Sequence, residues 1–146
     1  MKIAVLVLAS TLAAGAAWAQ LSAPLPQRTD VVSWEVLTAV QTRTEKNKLL
    51  PVFTKEQLAL GQKLQRVQGF MMPLEPGERQ THFLLSSVPL TCQFCTPGGP
   101  ESMVEVKTKT PVKYTLDPVT VEGRFATLTD DEYGLYYRVT EAVAVK

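Results

Sequence analysis

The stretch CQFCTPGGP, Cys92 to Pro100, holds both cysteines of the chain. Two thiols this close can cycle as a redox couple, clasp a metal, or close a small disulfide ring. A thioredoxin-like couple needs its first cysteine at a helix N-terminus, whose dipole lowers the thiol pKa. Here Thr96-Pro97-Gly98-Gly99-Pro100 follows the second cysteine, a composition that cannot run as a helix, and no βαβ pattern surrounds it. Thiol–disulfide exchange of that type is therefore disfavoured.

Structural zinc is usually four-coordinate, with cysteine and histidine ligands. The chain offers Cys92, Cys95 and its single histidine, His82, with Glu101 or Glu105 to complete a set. Met71, Met72 and Met103 would add soft sulfur that suits copper(I) better than zinc. The plainer reading stands beside it: methionines near phenylalanine in strands are usually core, and a lone strand histidine is usually a satisfied surface residue. A disulfide between Cys92 and Cys95 closes a ring too small to stabilise by more than about 2 kcal/mol, but it would stiffen a loop with little regular structure. With a disulfide no cofactor is needed; with free thiolates zinc or copper is the alternative.

The glycine pair adds a backbone argument. Gly98 and Gly99, set between Pro97 and Pro100, can take positive φ and let another chain approach closely. The loop is read as a contact surface shaped by these four residues, with Phe94 as an apolar anchor; the competing reading has Phe94 plugging a barrel end.

Strands must hold this loop up. LQRVQGFMM (64–72), HFLLSSV (82–88), MVEVKT (103–108), VTVEGRF (119–125) and LYYRVTEAVAV (135–145) are rich in β-branched and aromatic residues or alternate, with turn residues between. Gly69 and Gly123 fall mid-strand, where glycine marks the bends that curl a sheet. These features predict a mostly β chain: a small five-stranded antiparallel barrel resembling the oligonucleotide/oligosaccharide-binding (OB) fold, with a small β-sandwich as the alternative. Residues 61–146 form that barrel domain. Residues 20–60 are an N-terminal arm with short helices: one capped by Asp30 and running through Thr38, with Trp34 packed onto the domain, and a second capped by Thr54 and ending near Gly61. Gln41 to Lys48 reads as a solvated connection.

Residues 1–19 read differently. Lys2, an apolar run from Ile3 to Ala17 and the small residues Ala17 and Ala19 are the layout of a secretory signal peptide cut between Ala19 and Gln20. The run is too short and alanine-rich to favour a bilayer span, so no stable membrane anchor is expected. Removing it takes Lys2 from the 15 basic residues, leaving 14 against 14 acidic and a net charge of 0. A neutral surface argues against nucleic acid, which draws basic patches. Export to the periplasm favours cysteine oxidation.

Enzyme signatures are missing. There is no G-x-S-x-G, P-loop or dinucleotide-binding glycine pattern. No spacing favours His82 acting with Ser86, Ser87 or Ser102, and Asp130-Asp131-Glu132 lacks the ligand repeat of a calcium loop and reads as a solvated turn.

GFMMPLE (69–75), HFLLSS (82–87), CQFCTPGGP (92–100), MVEV (103–106) and VTVEGRF (119–125) occur in that order. Together they resemble a family of small exported bacterial domains of unknown function, over roughly residues 61–145, with CxxCxPGGP the most specific element. The resemblance implies a barrel-like fold and, because some members are encoded beside transporter components including metal-uptake systems, a periplasmic protein such as a transporter component as partner. Some relatives carry C-x-H and a proline run where this chain has C-x-x-C. The family supplies no catalytic residues to carry over. These observations lead to the expectation of a non-enzymatic periplasmic accessory or binding module.

Overall fold

The computed structural model describes residues 24–89 and 98–146. Half of the architecture follows from alternation. In the barrel strands, residues such as Val67, Phe83, Leu85, Val104, Val106, Val121, Phe125 and Val139 point inward and are wholly buried, and their burial supplies the main stabilisation of the closed sheet. The chain order is α1 (Trp34–Thr38), β1 (Gln41–Glu45), β2 (Lys48–Val52), α2 (Lys55–Leu60), β3 (Leu64–Pro73), β4 (Arg79–Ser86), a 3₁₀ turn (Pro100–Ser102), β5 (Met103–Lys113), β6 (Val119–Thr127) and β7 (Tyr137–Val145). The last five strands close into a barrel in the order β3-β4-β5-β7-β6.

The expected barrel is there, and it resembles the OB arrangement, but it is mixed rather than antiparallel. β5 and β7 run parallel, while every other neighbouring barrel pair is antiparallel. Parity is the reason. Around a ring with an odd number of strands, direction cannot alternate throughout, so closing five strands forces one parallel contact.

β3 changes partner along its length: Leu64–Gly69 pair with β6 and Phe70–Pro73 with β4. The glycine at that changeover is obligatory, because a Cβ on Gly69 would lie 2.8 Å from the Ser86 carbonyl oxygen and 3.2 Å from the Trp34 ring. The arm takes up two carbonyls of the first half of β3. Val32 N–H donates to Arg66 O and the Trp34 indole Nε1–H donates to Gln68 O, each at 2.8 Å. Gly123 answers a β-bulge in β7. The register slips between Glu122 and Arg124 where Glu141 takes φ +51°, and a Cβ on Gly123 would come within 2.7 Å of Thr140 O and Val139 Cγ1.

Two local expectations change. Ser33 caps α1 by accepting from Glu35 N–H; Asp30 instead binds Arg28 and Arg66, whose hydrogen bonds hold its carboxyl well below the usual range. Gln41–Lys48 is solvated, as expected, but it is most of a β-hairpin, β1–β2, rather than a plain connection, closed by Lys46 and Asn47 at positive φ, the conformation of a type I′ turn. The second helix is as expected: Thr54 and Gln57 form a reciprocal capping box, and the helix ends at Gly61. Gln57 also donates to Val36 O at 2.7 Å, locking α2 to α1.

Candidate functional site

The candidate loop is the connection from β4 to β5. Its base is narrow, because Ser86 and Met103 are register partners, Ser87 N–H donates to Ser102 O at 3.3 Å, and Ser102 N–H donates to Gly99 O at 2.9 Å. Gly99 N–H donates to Glu101 Oε1 at 2.9 Å. Cys92, Phe94, Cys95 and Pro97 lie outside the described residues. Gly98, Gly99 and Pro100 are described, and Gly99 does not use the positive φ open to it. Positive φ is found at Gly77 and Gly134 and not at Gly99, where φ is −66°; Gly98 and Gly99 matter for their size. A Cβ on Gly98 would fall 2.2 Å from Ser102 Oγ, and one on Gly99 2.6 Å from Glu101 Oε2. The described end of the loop, Gly98 and Gly99, packs tightly on the 3₁₀ turn that follows it.

Beside this base lies a cleft of about 290 Å³, walled by Pro24–Arg28 of the arm, Val31–Glu35, Gln68 and Ser87. Trp34 stands in it with its ring nitrogen bonded to the barrel. Packing of the 3₁₀ turn against α1 brings the arm, α1 and the loop base to one end of the barrel.

His82 is elsewhere. It sits on β4 as the register partner of Lys107, and its Nε2 lies 2.7 Å from Glu105 Oε1. Strand alternation points Glu105 away from Val104 and Val106, onto the outer face, yet its side chain is only 4% exposed. Arg138 Nε bonds the other carboxylate oxygen, and Lys107 Nζ is 3.5 Å from the first. Arg138 continues to Asp131 Oδ1 at 2.9 Å. Asp131 Oδ2 accepts from Tyr133 N–H at 3.0 Å and Leu135 N–H at 3.3 Å, so Asp131 organises the β6–β7 loop rather than standing in a solvated turn. Burial is the largest single influence on Glu105 and favours its neutral form, but the hydrogen bonds from Arg138 and His82, with the charges of Arg138 and Lys107, outweigh it and hold the carboxyl below its ordinary range. Asp131 is likewise lowered: burial opposes ionisation, and the Leu135 and Tyr133 amides and Arg138 overcome it.

The structure thus takes His82 and Glu105 as a pair into an ionic chain. Among the described residues, no group of three His, Cys, Asp or Glu side chains is placed to hold a metal ion. Reasoning from spacing named Glu105 and His82 but missed Arg138, because its neighbour across the sheet depends on the parallel contact. The β6–β7 loop and Lys48–Pro51 enclose a second cleft of about 370 Å³, with Asp131, Tyr133 and Tyr136 in its wall.

No helix among the described residues is long and apolar enough to cross a membrane. A search of curated proteins finds no match to the chain. The crystal structure of a protein of unknown function from Pseudomonas aeruginosa PAO1 is similar, with a TM-score of 0.51 and 26% identity, over 66% of this chain and 68% of that one; it carries the same family description as the model matched next. Residues 18–140 match the model of the protein family of unknown function DUF3299, and with most of its length so matched, the chain belongs to the DUF3299 family.

Proposed function

We propose that this chain is an exported, non-enzymatic binding module that meets a periplasmic protein partner through the β4–β5 connection, with the Cys92–Pro100 segment at its centre. One observation carries the reading. The whole connection springs from a single strand-pair step, Ser86 opposite Met103, on a closed barrel, and a long loop on a rigid base is far more often a recognition element than filler. The adjoining cleft with Trp34 extends the surface available to a partner. Residues 1–19 support export, and the resemblance to domains encoded beside transporter components makes such a component the partner of choice.

The test is recovery of envelope partners with the mature wild-type protein and a Cys92→Ser/Cys95→Ser double variant. Loss of a specific partner supports the loop as the contact; equal recovery of every partner overturns it. Intact mass decides the thiol chemistry. A value about 2 Da below the reduced mass, without metal, marks the disulfide, whereas reduced thiols with stoichiometric zinc or copper replace this reading with a metal-binding one.

A further inference from the structure

His82 is the chain's only histidine, and its side chain is one-third exposed, at 33%. Imidazole is the side chain whose charge ordinarily changes between about pH 5 and 8. It stands at the open end of a chain of contacts, built on two buried carboxylates, that leads to the second cleft: His82 to Glu105, Glu105 to Arg138, Arg138 to Asp131, and Asp131 to the amides of Tyr133 and Leu135. The charged groups around His82 are Glu105 and Lys107 from β5 and Arg138 from β7, with Asp131 beyond.

We propose that His82 is a proton-sensing input to the cleft formed by the β6–β7 loop and Lys48–Pro51. The device is the shared cation. Arg138 divides its guanidinium between two carboxylates, Glu105 and Asp131. A neutral His82 gives Glu105 one hydrogen bond and no charge. Imidazolium at the same place sets a full positive charge against Oε1, where Lys107 already lies 3.5 Å away. Glu105 is then oversupplied with cations, repulsion loosens Arg138 from it, and the guanidinium shifts towards Asp131. Because Glu105 and Asp131 are buried to 4% and 7% side-chain exposure, water screens this redistribution weakly. Asp131 holds the turn that walls the cleft, so acidification tightens that wall.

The experiment is a ¹⁵N and ¹³C NMR titration of the mature chain from about pH 8 to pH 5, the range in which imidazole ordinarily titrates. The amides of Tyr133 and Leu135 are expected to move with the midpoint of the His82 ring resonances, and to lose that movement in His82→Gln. Glu105→Gln keeps the ring titration but uncouples the amides. If Glu105→Gln does not fold, the His82→Gln comparison alone decides the matter. Tyr133 and Leu135 amides that stay fixed while His82 titrates, or that move identically in His82→Gln, overturn the proposal.

Discussion

Glu105 on β5 and Arg138 on β7 are register partners across the parallel contact of the barrel, joined there by an ion pair on its outer face. Removing the carboxylate leaves Arg138, itself 24% exposed, with Asp131 alone. Glu105→Ala is expected to cost about 2–4 kcal/mol, somewhat less than breaking a fully buried pair because one carboxylate and some solvent remain. Urea unfolding at neutral pH measures it.

The same carboxylates set the acid response. Glu105 and Asp131 have folded pKa values below their unfolded ones. Their stabilisation is complete above the unfolded carboxylate value of about 4 and is lost as pH falls from there through the lowered folded values. Wild-type urea midpoints should therefore fall when pH drops below about 4, and the Glu105→Gln profile should be flatter over the same window.

The glycines separate crowding from backbone strain. At Gly123 a methyl would meet Thr140 O, Val139 Cγ1 and Ala142 Cα, all under 3 Å, and Gly123→Ala should destabilise by about 1–3 kcal/mol through overpacking. At Gly134 nothing lies within 4 Å, but φ is +73°, so Gly134→Ala should cost about 1–2 kcal/mol from the left-handed backbone alone. Crystal structures of the two variants distinguish the causes: shifted β7 in the first, an unmoved surround in the second.

Tyr137 ties the barrel to α1. Its hydroxyl donates to Leu37 O at 2.7 Å inside the core, and burial pushes its pKa up, keeping it a neutral donor. Tyr137→Phe leaves that carbonyl only the longer 3.4 Å bond from Gln57 Nε2. A loss of about 1–2 kcal/mol is expected, read as a lower unfolding midpoint with an unchanged m-value.

Trp34 offers a gentler test of the same end. Trp34→Phe keeps an aromatic ring against Gly69 but removes the donor to Gln68 O. It should cost about 1 kcal/mol and raise hydrogen exchange at the Val32 amide, which bonds the neighbouring Arg66 carbonyl.

Much of the barrel is legible from residues. Alternation in Met103 to Thr108 separates Val104 and Val106 from Glu105 and Lys107, and the structure buries the two valines completely. Gly69 and Gly123 stand where crowding forbids a side chain, and Thr54 with Gln57 spells out a cap. The β1–β2 hairpin escaped because its first strand is exposed throughout, so no apolar period marks it. The ion chain escaped for a different reason. Glu105 and Arg138 are 33 positions apart, and no local pattern carries the register of strands that meet only when the ring closes. At Gly99 freedom to take positive φ is not a need for it, since φ is −66°; Gly98 and Gly99 are small to admit Ser102 and Glu101.

Closure also dictates how the chain reaches this state. Leu64 waits for Arg124 and Gly69 for Val119, so the seam that completes the cylinder joins segments made far apart in synthesis. Loop-closure entropy must be met before those ladders return any enthalpy, and topologies of this kind fold on the millisecond-to-second scale rather than in microseconds. Until β6 arrives, only the second half of β3, Phe70–Pro73, has its β4 partner, and the ladder of Leu64–Gly69 stays open, so the nascent polypeptide depends on keeping that half from pairing with the wrong neighbour.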